Sequence, residues 1–201
     1  MEGNVLRRST VWLCALAIVP VASAAWGADA GEVFAKGTKI VTVNIGGGVN
    51  MDAPFDATDV SFINGSVRFG YLPLNPAGSG ALRGSLEVGL EPFVQFYLEP
   101  SRVSQEGVKA VGRYHFISIA PIVPYLEFAA GVMYSNLKID EIRSKHAFSL
   151  EAGAGVSYLL TPTLALTAGY RFQHLSNADT ESPNTGINSN TGLIGVSVLF
   201  P

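Results

Sequence analysis

The chain has 201 residues, 48% of them hydrophobic, and a formal net charge of −3, a length compatible with one domain. It carries no basic run or patch, which argues against nucleic acid as a partner. Its one cysteine, Cys14, lies in an N-terminal apolar segment, so loss of that segment would leave no disulfide and no cysteine-ligated metal.

That segment reads as a secretory signal. Arg7 and Arg8 precede apolar residues 11–22, and Ala22-Ser23-Ala24 supplies a small-residue cleavage pattern. Ala28-Asp29-Ala30 is a second site, which places cleavage as late as residue 30. An uncleaved membrane helix is the bland alternative, but the segment is shorter than the roughly 20 apolar residues of a span, and Pro20 interrupts it. Removal of residues 1–24 leaves 11 basic and 15 acidic residues in a domain spanning 25–201. Mean hydropathy is positive, at +0.30, yet nothing after the signal is long enough for a membrane helix. Glycines and aromatics recur within the same strand-like segments, the pattern of a transmembrane β-barrel.

Eight alternating segments follow one another. In the first, 39–49, Val41, Val43 and Ile45 alternate with Thr42 and Asn44. A loop through Asp52, Pro54 and Asp56 leads to the second, 60–72, with Ile63, Val67, Phe69 and Tyr71 on one face and Asn64, Ser66 and Arg68 on the other. The breaker-rich stretch 74–80 is a turn. The third, 82–98, sets Leu82, Leu86, Val88 and Leu90 against Arg83, Ser85, Glu87 and Glu91, and Pro92 is expected to perturb its ladder. The fourth, 108–117, opposes Val108, Ala110, Tyr114 and Phe116 to Lys109, Arg113 and His115. After the turn 120–124, the fifth, 125–135, opposes Leu126, Phe128, Val132 and Tyr134 to Glu127 and Gly131.

Beyond a charged loop, 136–146, the sixth segment places Phe148, Leu150, Ala152, Val156 and Tyr158 opposite Ser149, Glu151 and Ser157. The seventh, from Leu164, sets Leu164, Leu166, Ala168, Tyr170 and Phe172 against Thr163, Thr167, Arg171 and Gln173. The eighth, 190–200, presents Ile194, Val196, Val198 and Phe200 on one side. Leu193 and Leu199 join Thr191 and Ser197 on the other.

The polar faces collect Arg68, Arg83, Lys109, Arg113 and Arg171 with Glu87, Glu91, Glu127 and Glu151. Such near-balance suits mutual pairing inside a narrow barrel, where an unpaired charge is costly. An eight-stranded barrel is filled by side chains, so these charges and His115 are expected to pack rather than to catalyse or conduct. The expected fold is an all-β, eight-stranded antiparallel transmembrane barrel with a filled polar interior. Its apolar faces then meet lipid, with Tyr71, Tyr114, Tyr134, Tyr158, Tyr170 and Phe172 near strand ends as interfacial girdles. Phe200, followed by Pro201, resembles the C-terminal aromatic signal read by the outer-membrane assembly machinery.

With both termini periplasmic, short turns belong on that side and long loops outside. The connections 74–80, 120–124 and 160–163 are short, while 50–59, 99–106, 136–146 and 177–189 are longer. Period-two alternation carries the outward parity of the seventh strand through Phe172 to His174 and Ser176. Both are therefore expected on the lipid-facing surface at the extracellular rim, and Asn188 shares the outward parity of the last strand. A His and a Ser on one face can act as base and nucleophile when a third group holds the imidazole tautomer. By itself the pair is weak, since ordinary girdle residues look the same.

The run 174–188, HLSNADTESPNTGIN, resembles the signature of the lipid A 3-O-deacylase (PagL) family, also labelled acyloxyacyl hydrolase-like. The match lies at His174, Ser176, Asn177, Ala178, Pro183, Asn184, Gly186 and Ile187. The resemblance implies an outer-membrane serine esterase of a Gram-negative bacterium that removes the ester-linked 3-hydroxyacyl chain at the 3-position of lipid A. It implies Ser176 as nucleophile, His174 as base, lipopolysaccharide as substrate and partner, and no metal or cofactor.

One position departs from that pattern. The family's acid, a Glu, falls on Asn188, whose amide oxygen can orient the imidazole but brings no charge to it. The analogous Asp→Asn change costs a serine protease about 10⁴ in turnover. Glu181 and Asp179, in the same loop, are candidate substitute acids. Asn177, Asn184 and loop backbone N–H groups are candidate oxyanion donors, with Gly186 shaping the loop, and ordinary turn chemistry explains all three equally well. Lys138, Arg143, Lys145 and His146 are candidate contacts to lipid A phosphates, although Asp140 and Glu141 beside them also fit a solvated loop. The competing function is a noncatalytic structural or adhesion barrel that keeps the motif as a loop scaffold. A solute pore is disfavoured by the filled interior.

Overall fold

A computed structural model describes residues 29–51 and 58–201. The expected signal segment 1–24 lies outside the described residues, as does the middle of the first long loop. Eight strands form one closed antiparallel barrel: β1 Lys39–Asn50, β2 Ser61–Tyr71, β3 Gly84–Glu99, β4 Ser104–Phe116, β5 Ile122–Ser135, β6 His146–Thr161, β7 Leu164–Ser176 and β8 Ile187–Phe200. Each strand pairs with its sequence neighbours, and β1 closes on β8 from Lys39↔Phe200 to Asn50↔Ser189. Closure leaves no strand edge, which is what lets strands cross a bilayer with every backbone group paired.

The side-chain parity read from the sequence is the observed one. Val43, Ile45, Ile63, Phe69, Leu90, Leu126, Phe128, Leu150, Tyr170, Ile194 and Phe200 all point out of the barrel and are exposed. Their polar alternates are buried in the lumen. Lipid rather than water is the surrounding that stabilises such an outer surface.

Inside, the charged layer is paired. Glu127 accepts from Arg68 at 3.1 Å, Arg113 at 2.7 Å and Arg171 at 2.6 Å. Arg171 also reaches Glu91 at 2.6 Å, Lys109 meets Glu151 at 2.7 Å, and His115 meets Glu87 at 2.7 Å. Three arginines, one lysine and His115 thus face four carboxylates. Arg83 is the exception to the expected set. It lies just outside β3, after a short turn of 3-10 helix, Gly80–Leu82, and is exposed. The alternation at its position continues after the strand itself has ended. Pro92 produces less disturbance than expected. The β2–β3 ladder opens between Ser66↔Phe93 and Phe69↔Leu90, with no change of register.

Two apolar layers close the lumen. At the periplasmic end a one-turn helix, α1 Ala30–Val33, is capped by the Asp29 carboxylate, which accepts from Gly31 N–H at 2.9 Å. It buries Val33 and Phe34 against Ile40, Leu72, Ile117, Val123 and Leu199. Cleavage as late as residue 30 would remove this cap. At the extracellular end Phe62, Phe93, Tyr97 and Met133 pack with Leu137, Ile139 and Ile142, which come from the 136–145 loop. That loop, expected to be charged and solvated, continues the alternation of β5 through Leu137 and Ile139 and buries Ile142 beside them.

Candidate functional site

The site stands where β6, β7 and β8 reach the extracellular rim. His174 and Ser176 end β7 with the outward parity of Leu166 and Tyr170, and both are half-buried. The neighbouring strand β6 places Leu150 opposite His174 and Phe148 opposite Ser176. Both are exposed on the outer face, so the pair is flanked by apolar surface.

Strand β8 begins three residues earlier than its alternation suggested, at Ile187. That extension brings Asn188 into the ladder directly opposite His174. Its Oδ1 lies 2.9 Å from His174 Nδ1. An acceptor at that nitrogen selects the Nδ1–H tautomer and leaves Nε2 with the lone pair a general base needs. Ser176 Oγ makes no hydrogen bond among the described residues.

The following loop is built by its asparagines. Asn177 is fully buried. Its backbone N–H donates to Asn184 Oδ1 at 2.7 Å, and its Nδ2 donates to the carbonyls of Glu181 at 2.7 Å and Pro183 at 3.4 Å. Asn184 Nδ2 is taken by Asp179 Oδ1 at 2.9 Å. Both candidate oxyanion amides are thus engaged in holding the loop, and Asp179 is engaged with them. Gly186 has φ +74° and lies against the imidazole. A Cβ there would stand 2.8 Å from His174 Cε1 and 3.3 Å from Nε2. Only glycine permits both the backbone conformation and that approach. Glu181 is exposed at the loop, while the Nδ1 position it would need is occupied by Asn188.

Farther round the rim, Lys138, Arg143, Lys145 and His146 are exposed. Arg143 pairs with Asp140 at 3.2 Å, and the His146 ring packs edge-on against Tyr134 at 5.8 Å. Glu141 behaves differently from its neighbours and is buried, its carboxylate bonded to Thr58 in the first long loop. Sequence reading passed over Thr58 and placed Glu141 among solvated charges. The signal available was the inward parity of Leu137 and Ile139, which Glu141 shares.

The family profile described as lipid A 3-O-deacylase (PagL) matches residues 66–197. Among solved structures, the outer membrane enzyme PagL is similar with a TM-score of 0.58 at 18% identity, covering 78% of this chain and 97% of that one. Neisserial surface protein A (NspA) is similar with a TM-score of 0.57 at 20% identity, covering 82% of this chain and 100% of that one. At such identities the likeness speaks for the fold, a closed eight-stranded barrel of the Gram-negative outer membrane. No curated protein sequence matches this chain.

Proposed function

The chain belongs to the lipid A 3-O-deacylase (PagL) family, and on that premise we propose that it hydrolyses the ester-linked 3-hydroxyacyl chain at the 3-position of lipid A. The observation that carries this reading is the 2.9 Å contact between His174 Nδ1 and Asn188 Oδ1 on the lipid-facing rim, with Ser176 on the same face.

In the proposed reaction Ser176 Oγ attacks the ester carbonyl and gives its proton to His174 Nε2. The resulting oxyanion is held by backbone N–H groups, among which we favour Gly186, because the Asn177 and Asn184 amides are already bonded within the loop. Collapse of the tetrahedral adduct breaks the ester C–O bond, and His174 gives its proton to the departing sugar oxygen, which leaves as the hydroxyl. Water, activated by the same imidazole, then releases the 3-hydroxy fatty acid from Ser176. Asn188 keeps the imidazole in its productive tautomer throughout, without the charge that would stabilise imidazolium. Two outer-surface grooves share Val108, Val132 and Phe148, and one of them extends to Ala110, Ala130 and Leu150, offering apolar surface beside the ester. Delivery of the chain would proceed through a cleaved N-terminal signal and recognition of Phe200 by the assembly machinery.

The absence of charge at Asn188 favours the second reading, a noncatalytic barrel that keeps the motif as a loop scaffold. Lipid A mass spectrometry separates the two, after expression in a bacterium whose lipid A retains its 3-O-acyl chains. Loss of one 3-hydroxyacyl group, abolished by Ser176→Ala, is the expected result. Unchanged lipid A from a correctly inserted wild-type barrel sinks the enzymatic reading.

A further inference from the structure

A buried carboxylate ties the extracellular loops together above the site. Glu141 is 2% exposed, and its two carboxylate oxygens accept from Thr58 N–H at 2.8 Å and Thr58 Oγ1–H at 2.7 Å. Its main chain holds the opposite side: the Glu141 carbonyl accepts from Thr185 N–H at 3.2 Å, and Ile142 forms an antiparallel bridge with Asn184. Asn184 and Thr185 lead directly into Gly186, whose backbone packs on the Cε1–Nε2 edge of His174. Beneath this junction Ile139 and Ile142 pack with Leu175 and Ile187. Those two face each other across the β7–β8 ladder, next to the His174↔Asn188 pair.

The loop's own bonds at Asn177 set its shape. They do not set where it stands over the rim, which depends on its two strand ends and on Glu141. Burying a carboxylate costs several kcal/mol before its bonds are counted, and the barrel's closed ladder has no need of one outside the lumen. We propose that Glu141 is a positioning residue, whose grip on Thr58 holds Thr185 and Gly186 against the imidazole of His174. The activity readout below rests on the deacylase reading, whereas the positioning itself does not. A shift of about 1 Å in such a support is worth roughly 10²-fold in rate.

Three full-length variants test this: Glu141→Ala, Glu141→Gln and Thr58→Val. Each is read by kcat and KM on lipid A, by the barrel's thermal transition, and by hydrogen exchange of the Thr185 and Gly186 amides. Glu141→Ala should lower kcat by about 10- to 100-fold, leave KM and the thermal transition unchanged, and speed exchange at Thr185. Thr58→Val should give a smaller effect in the same direction. Glu141→Gln should restore most of the rate, because its Oε1 still accepts from Thr58 N–H and its amide can donate to Thr58 Oγ1. Wild-type kcat and unchanged exchange in Glu141→Ala overturn the proposal. So does a loss of rate matched by a lowered barrel transition, or an absence of rescue by Gln. If the wild-type protein does not deacylate lipid A, exchange alone decides. Fast exchange in the Ala variant and slow exchange in the Gln variant uphold the positioning and assign the failure to the enzymatic reading.

Discussion

Replacing Asn188 by Glu restores the acid of the family's pattern opposite His174, with Asn188→Asp as the isosteric companion. In the native protein the amide oxygen already faces Nδ1 at 2.9 Å, so the tautomer is set and a carboxylate contributes mainly charge. Two unit charges about 4 Å apart at an effective dielectric of about 20 interact by roughly 4 kcal/mol. His174 and Asn188 are only half-buried, and screening lowers this to about 1.5–3 kcal/mol. Through the transition state that corresponds to a gain of about 10- to 100-fold in turnover. The full 10⁴ of the protease analogue is not expected, because part of that loss is the wrong tautomer. A time course of lipid A 3-O-deacylation by mass spectrometry measures the gain. Glu181→Ala serves as the control, since an exposed carboxylate with Nδ1 already occupied should change the rate less than about twofold. Unchanged or lower turnover in both Asn188 variants, with the barrel correctly folded, would refute the reasoning. A collapse of activity in Glu181→Ala would transfer the acid's role to the loop.

Two further substitutions probe the supports of the site and of the barrel. Gly186→Ala forces a Cβ to 2.8 Å from His174 Cε1 at φ +74°, a backbone state costing a non-glycine residue about 1–2 kcal/mol. Turnover should fall at least about tenfold while the barrel's thermal transition stays in place; normal turnover would place the loop away from the imidazole. Glu127→Ala removes the carboxylate shared by Arg68, Arg113 and Arg171; Arg68 and Arg171 keep Glu87 and Glu91, but leaving the buried Arg113 guanidinium without its carboxylate should cost about 3–5 kcal/mol. Heat-modifiable migration of the folded barrel on gels should shift to clearly lower temperature, and an unchanged shift would show that water enters the lumen and solvates those groups.

Much of the barrel was legible because the strand signal is local. Val43 and Ile45 point to lipid and Thr42 and Asn44 to the lumen simply because adjacent residues face opposite ways. The same rule carries from Tyr170 to Ser176 and puts the His-x-Ser pair outside. Errors arose where alternation outlives the strand or begins before it is recognised. Arg83 kept the inward parity of Ser85 but lies beyond the first pairing, Gly84↔Phe116, and so it is exposed. Residues 187–189 lack an apolar run on either face, yet all three pair with β7, and Ser189 also pairs with β1. The plug made by Val33 and Phe34 gave no warning, since four helical residues carry no period to read.

The sequence by itself determined which face each strand residue occupies, that charges of both signs share the lumen, and that His174, Ser176 and Asn188 share the outer surface near one rim. These follow from a two-residue period and the order of short and long connections. Only the tertiary structure decided which residues meet. That Asn188 faces His174 Nδ1 depends on the β7–β8 register, which is set by pairing along the whole strand. That Asn177 is consumed by its own loop, and that Glu141 clasps Thr58 across 83 residues of chain, depend on how loops close over a finished barrel. Such contacts are chosen by the geometry of closure and burial, and no local period encodes them.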